Sequence, residues 1–296
     1  MRTLRNAREN AVHVALFVCA CLTVLTTAGI TIVLIAESVP FFEQVPVWEF
    51  VFGTRWAPQF EPRSFGALPL IVGTLQVAIG GLLVALPIGI PTAIFLSEYA
   101  PHWLRQALKP VIEILAGIPS VVFGYFALSF ITPHLLKPFF NEVGVFNAAS
   151  AAIVVGIMTI PTIVSLCDDA FRAVPRTLRE ASFALAATKL EVSTRIVFPA
   201  ALSGVIAAVL LALARAIGET MAVALAAGMT PRMTLNPLES VQTMTGHIVM
   251  VSMGDTPAGS VEYHTIFAVG LALFLMTFSI NWFASRVLRR YREVYE

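Results

Sequence analysis

Six stretches of this chain, at about residues 11–36, 67–96, 111–131, 148–167, 200–228 and 265–285, are almost continuously apolar. Each is long enough for a helix to cross a hydrocarbon core, which takes roughly 20 residues. None alternates every second residue, as strands of a membrane barrel would. The expected fold class is an all-α integral membrane protein with about six transmembrane helices. Composition agrees. Only 12% of residues are charged and 57% are hydrophobic, with a mean hydropathy of +0.82, whereas soluble chains are about 25% charged. So few charges cannot cover a water-facing surface, and lipid is the solvent for most of the chain.

Cation positions set the orientation. With the N-terminus inside, the inner segments carry Arg2, Arg5 and Arg8; Arg105 and Lys109; Arg172, Arg176, Arg179, Lys189 and Arg195; and Arg286, Arg289, Arg290 and Arg292. The outer segments hold Arg55, Arg63, Lys137 and Arg232. Fourteen cations against four put both termini in the cytoplasm of a multi-pass inner-membrane protein. The run at 67–96 is long and contains Gly80, Gly81, Pro87 and Pro91. Splitting it in two, or folding it into a re-entrant hairpin, would push the five cations of 168–199 outside. A single tilted or kinked helix is expected instead, its freed backbone groups met by neighbours. The first run exceeds the core of about 7–15 residues in a signal peptide, so it reads as a retained anchor. The chain then divides into a first span plus outer loop (1–66), a core of spans (67–285) with an inner loop at 168–199, and a basic tail (286–296).

Little else in the composition points to chemistry. The net charge is +1, and with only three lysines and no basic run nothing suggests nucleic acid. Cys19 and Cys21 lie two apart in one apolar run and Cys167 ends another, so they read as small apolar residues, with no metal-ligand spacing. The histidines (His13, His102, His134, His247, His264) are scattered, and no nucleophile–base–acid set emerges. The outer segment 37–66 mixes four prolines with Phe41, Phe42, Trp48, Phe50, Phe52 and Trp56, a composition suited to the membrane interface. Gly117, Pro119 and Ser120 fall early in the third run, where a bend for packing and a cavity-lining role are both open. Glu113, one turn after Lys109, reads as a structural pair.

The inner loop carries more information. After Pro175, helix formers dominate, with Leu178, Ala181 and Leu185 on one side; the pattern changes phase around 186–189 and runs on to Pro199. That predicts a short amphipathic helix, a bend and a second helix. It would lie on lipid or dock into a partner's groove. In the fifth run, Arg215 and Glu219 are four apart, expected on one helical face. A charge at the centre of a lipid-facing helix costs about 2.5–3.5 kcal/mol, so such residues face a pore or a partner. Two readings stand together: an ion pair that locks packing, or a pore site in which the Arg215 fork binds an oxyanion and Glu219 holds it in place.

Glu180-Ala181-Ser182, followed by Ala186 and Ile196-Val197-Phe198-Pro199, resembles the EAA loop of binding-protein-dependent ABC importer permeases: Glu-Ala-Ala, three residues, Gly, nine residues, Ile-x-Leu-Pro. Three positions depart: Ser182, Ala186 and Phe198. Glycine at 186 would suit a left-handed bend that alanine enters at a cost of about 1 kcal/mol, so a shallower bend is expected. In that family the loop is the coupling helix, which assigns Glu180, Ala181 and Ala186 to ATPase coupling.

Arg215-Ala-Ile-Gly-Glu219-Thr-Met-Ala-Val223 is similar to the corresponding segment of PstC-type permeases of the phosphate-specific transport system. Leu96-Ser-Glu98-Tyr99-Ala-Pro101 and Ala116-Gly117-Ile-Pro119-Ser120 continuing to Gly124 also match, so the resemblance covers roughly 50–285. It implies a MetI-like type I importer permease with Arg215 and Glu219 at the substrate pathway. It also implies a PstA-type second permease, two PstB-type ATPase subunits that bind ATP and Mg, and a PstS-type external phosphate-binding protein. The chain has no Gly-x-x-x-x-Gly-Lys-Ser/Thr loop of its own, so no cofactor is expected in it and it is not itself an enzyme. The rivals are a permease for molybdate or sulfate, and a secondary transporter or channel without an ATPase.

Overall fold

The computed structural model describes residues 2–291. Side chains are described for residue 10 and for 12–286, so those of Arg2, Arg5, Arg8, Arg289 and Arg290 are not described, and Arg292 lies outside the described residues. Helix α1 (Arg2–Phe42) runs along the side of the molecule, packed mainly on the last helix, and its apolar length is exposed. The segment after it is a folded cap rather than a loose interfacial loop. It consists of α2 (Val47–Phe52) and an antiparallel hairpin of β1 (Trp56–Ala57) and β2 (Ser64–Phe65), with Trp56 opposite Phe65. Phe41, Phe50, Trp56 and Phe65 meet edge-to-face and are buried on Leu70, Met244 and Val269, whereas Trp48 and Phe52 stay open.

Helix α3 (Leu68–Ile94) continues through a π-helical turn, Phe95–Tyr99, as one span despite Pro87 and Pro91, as the cation count requires. It pairs along most of its length with α6 (Ala148–Ala173), whose first turn is capped by Asn147: its Oδ1 accepts the Ser150 N–H at 2.7 Å. The pairing is close because it is made of small residues. A Cβ built on Gly156 would lie 2.7 Å from Cβ of Val84 and 2.8 Å from the Gly81 carbonyl oxygen. Both helices contribute to the buried cluster of Val77, Ala78, Ala151, Val154 and Val155.

Two expected spans are broken. The run at 111–131 does not form a helix of its own. Helix α4 (His102–Ala116) stops at Gly117, and the chain turns through 85° into α5 (Ser120–Phe126), continued by a π-helical stretch Ala127–Leu136. The cause is local: Pro119 disfavours helical dihedrals at the residue before it and itself caps α5 with an extended ψ of 136°. Helix α4 buries none of its residues, and the two segments are apolar enough to cross only when taken together as one bent pair. The run at 200–228 is interrupted as well. Helix α7 (Arg176–Ala184), then α8 (Lys189–Glu191), a π-helical stretch Val192–Val197 and α9 (Phe198–Ala200) precede a 70° bend into α10 (Leu202–Ile217). The chain opens at residues 218–220 and resumes as α11 (Met221–Ala226).

After α11 a loop folds back into the molecule, with Val241 and Gln242 buried, and leads to α12 (Met244–Met253), which is too short to cross. No apolar run of spanning length announced it. The last helix, α13 (Val261–Tyr291), packs on α1, α10 and α12. Four unbroken helices and two bent pairs therefore supply up to six spans among the described residues.

His247 of α12 ties the cap to α13. Trp56 Nε1–H donates to His247 Nδ1 at 3.3 Å, and since an indole nitrogen only donates, the ring proton sits on Nε2. That nitrogen donates to Thr265 Oγ1 at 2.9 Å, whose hydroxyl donates to the Glu262 carbonyl. Burial pushes the imidazole down to about 3, so it is neutral, as this chain of donors requires.

Candidate functional site

Helix α10 exposes Arg215 one turn before the break in the fifth span. Its Nη1–H donates to Thr162 Oγ1 at 2.8 Å. Thr162 lies on α6 directly after Pro161, whose missing N–H frees a carbonyl in the turn before it. Because Arg215 is exposed, the remaining donors of its fork face outward from this chain.

Glu219 does not meet it. Helix α10 ends at Ile217, so the continuous turn that would stack residues 215 and 219 is absent. The Glu219 carboxylate turns instead to the start of α11, where Oε1 accepts the Ala222 N–H at 3.4 Å. Its carbonyl accepts the Thr245 hydroxyl at 2.8 Å. The expected intrahelical pair is thus replaced by two separate anchors: Arg215 on α6, and Glu219 on the segment leading into α11 and α12. The sequence held one clue to Thr162, a hydroxyl beside a proline in an apolar run.

Gly117, Pro119 and Ser120 lie at the 85° bend, with Gly117 and Pro119 exposed. Lys109 turns away from Glu113 to Asp168 and Asp169, at 3.5 and 3.3 Å, next to Arg105, which pairs with Asp168 at 2.5 Å. Those contacts hold α4 against the end of α6.

The expected helix–bend–helix forms as an elbow. Its bend is not shallow. Ala186 adopts φ +62°, a left-handed conformation that ends α7, and the Ala187 N–H donates back to the Ser182 carbonyl at 3.2 Å. Thr188 and Glu191 then close a capping box at the start of α8, and those hydrogen bonds from Thr188 pull the Glu191 carboxyl below its usual range. Of the apolar side expected on α7, Leu178 packs inward but Ala181 is exposed and Leu185 is 85% exposed. Glu180 is exposed too. It lines an open, largely charged cleft of about 470 Å³ with Glu98, Arg105, Arg172, Arg176 and Arg179. The sequence-predicted residues therefore fall into three places: Arg215 and Glu219 at the break in the fifth span, Gly117, Pro119 and Ser120 at the 85° bend, and Glu180, Ala181 and Ala186 on the elbow.

Unbroken and bent apolar helices surround a glycine-packed pair, with a polar elbow between the fourth and fifth spans. The family described as the binding-protein-dependent transport system inner membrane component matches residues 85–293. The chain belongs to this permease family. Its members are multi-pass inner-membrane subunits of ABC importers, a class that works with an ATPase and a binding protein. Among curated relatives, a probable ABC transporter permease protein, YqgH of Bacillus subtilis, is 38% identical over 88% of this chain and 84% of its own. The phosphate transport system permease protein PstC of Xylella fastidiosa is 35% identical over 81% of this chain and 78% of its own. PstC 1 of Mycobacterium tuberculosis is 34% identical over 76% and 73%. Among solved structures, the inward-facing MetNI methionine ABC transporter superposes with a TM-score of 0.59 at 16% identity, covering 76% of this permease and 96% of that chain. A bacterial ABC transporter involved in the import of alginate gives 0.57 at 16%, covering 91% and 96%. These two carry the fold: the permease is MetI-like.

Proposed function

We propose that this permease forms half the translocation pathway of an ATP-driven importer of inorganic phosphate, with both termini in the cytoplasm. Its partners are a PstA-type second permease, two PstB-type ATPase subunits that bind ATP and Mg, and a PstS-type external phosphate-binding protein. The observation that carries the reading is the exposed Arg215 guanidinium, held by Thr162 at the break of the fifth span. A permanently charged planar fork suits a tetrahedral oxyanion. The open backbone beside it, at residues 218–220, belongs where a span lines a cavity rather than lipid. The named function of the PstC relatives supports phosphate as the anion.

In this reading Thr162 fixes one edge of the guanidinium and leaves the others for the solute, while Glu219 shapes the break instead of neutralising Arg215. The anion is then the missing counter-charge, which favours its entry into a low-dielectric passage. The elbow, with Glu180, Ala181 and Ala186, meets the ATPase, and Gly117, Pro119 and Ser120 lie at the bend beside the pathway.

The test is reconstitution with the partner subunits and ATP-dependent uptake of labelled phosphate. Losing a hydrogen bond to a charged group costs about 1.5–3 kcal/mol, so Arg215→Gln should lower uptake by about 10- to 100-fold while the complex still assembles. Normal uptake would remove the site. Competition by sulfate or molybdate stronger than that by unlabelled phosphate would transfer the proposal to the other oxyanion.

A further inference from the structure

Both arms of the elbow are fastened to two adjacent residues of the second span. From α7, Arg179 reaches the Glu98 carboxylate with Nε at 3.2 Å from each oxygen and Nη2 at 2.8 Å from Oε1. The same guanidinium donates to the Phe171 carbonyl at 2.7 Å and the Val174 carbonyl at 2.6 Å. Those two carbonyls lie at the end of α6, where the last carbonyls run short of helical partners; the Phe171 carbonyl also accepts the Val174 N–H at 3.3 Å. Both side chains are nearly enclosed, at 16% and 10% exposure. From the other arm, Lys189 stands 4.9 Å above the ring of Tyr99, a cation–π distance. Glu98 and Tyr99 end the π-helical turn that extends α3.

One guanidinium therefore joins three bodies: the elbow, the end of α3 and the end of α6. The elbow tip is free by contrast, with Phe183, Leu185 and Leu190 exposed. A tip without support and a root held by charge-assisted, bidentate bonds is the geometry of a lever. Its far arm is α6, on which Thr162 holds Arg215 nine residues, about 14 Å, before Phe171.

We propose that Glu98 and Arg179 are positioning residues for transport, the clamp that makes α3 and α6 follow the elbow and so moves Thr162 and Arg215. This rests on the elbow facing the ATPase, as proposed above. A clamp that served only folding would change how much complex assembles but not what each ATP accomplishes.

The test measures phosphate imported per ATP hydrolysed in the reconstituted complex. Glu98→Gln keeps the shape and removes the charge; Arg179→Lys keeps the charge and removes the fork. Each should assemble, and each should lower uptake per ATP by about tenfold, within the range that one link between coupled sites controls. The double variant Glu98→Gln/Arg179→Lys should be no worse than Arg179→Lys alone, since the ion pair is lost once. Undiminished uptake per ATP, or defects that simply add, overturns the clamp. Should Glu98→Gln not assemble, Glu98→Asp, which retracts the carboxylate by one methylene, takes its place; failure of both to assemble makes the pair a folding staple and also overturns it. The elbow is tested separately by cross-linking Leu185→Cys to an ATPase subunit. No cross-link removes the elbow's assignment; a cross-link together with undiminished uptake per ATP in Glu98→Gln removes the clamp alone.

Discussion

The two ends of the molecule are held together by opposite means. At the aromatic end, the cap closes over rings packed edge-to-face, with Trp56 only 2% exposed and a neutral histidine locked between one donor, Trp56, and one acceptor, Thr265. At the basic end, ion pairs do the holding: Arg105 with Asp168, Lys109 with Asp168 and Asp169, Arg179 with Glu98, while apolar side chains of the elbow point away from the fold. Burial stabilises in proportion to area and in no particular direction. Directed ionic contacts fix position and transmit a pull. Apolar burial closes one end and directed ion pairs anchor the other, and the α3–α6 pair joins them.

That contrast breaks first at its link. Gly156→Leu would force a side chain into the space already filled by Val84 and the Gly81 carbonyl, which approach to 2.7 and 2.8 Å of where its Cβ must go. Backbone cannot yield as a flexible side chain can. The expected result is loss of folded, monodisperse protein by size-exclusion in detergent; a well-behaved peak would show the two helices can part without harm. Next come the two ends themselves. Trp56→Ala should cost about 3–5 kcal/mol, as large-to-small changes at buried aromatics do, and lower the thermal midpoint markedly. Leu185→Ala, equally apolar but exposed, should stay within about 0.5 kcal/mol. Equal effects would mean the elbow is packed in the isolated chain and the contrast is false.

How much of this was legible beforehand depends on the kind of interaction. Hydropathy sums residue by residue, so the unbroken helices α1, α3, α6 and α13 stood out. It carries no hydrogen-bond geometry, so a bend at Gly117–Pro119 was open within the third run, but not that it turns the chain by 85° and ends one helix. The ten residues of α12 fell below any spanning length. Arg215 was noticeable as a charge in an apolar run, but pairing it with Glu219 assumed helix through Gly218, where the helix ends. Glu98 and Arg179 are 81 positions apart. Nothing in either neighbourhood announces the other, and only the fold brings the elbow under the second span.

The smallest expected effect is the most diagnostic of the elbow. Alanine at 186 suggested a gentle bend, yet the chain takes φ +62° there, so the surrounding contacts outweigh the preference of the residue. Those contacts are visible: Ala187 back to Ser182, the Thr188–Glu191 box, and the anchors on Glu98 and Tyr99. A left-handed alanine costs about 1–2 kcal/mol, and glycine removes that strain while adding about 0.5–1 kcal/mol of chain entropy to be lost on folding. Ala186→Gly should therefore stabilise the permease by about 0.5–1 kcal/mol, read as a small upward shift of the thermal midpoint. Ala186→Val, with a branched side chain at the same dihedral, should shift it downward by more. If both substitutions left the midpoint unmoved, the elbow would be relaxing to another bend at no cost, and a lever that yields so easily could not carry force from an ATPase to Arg215.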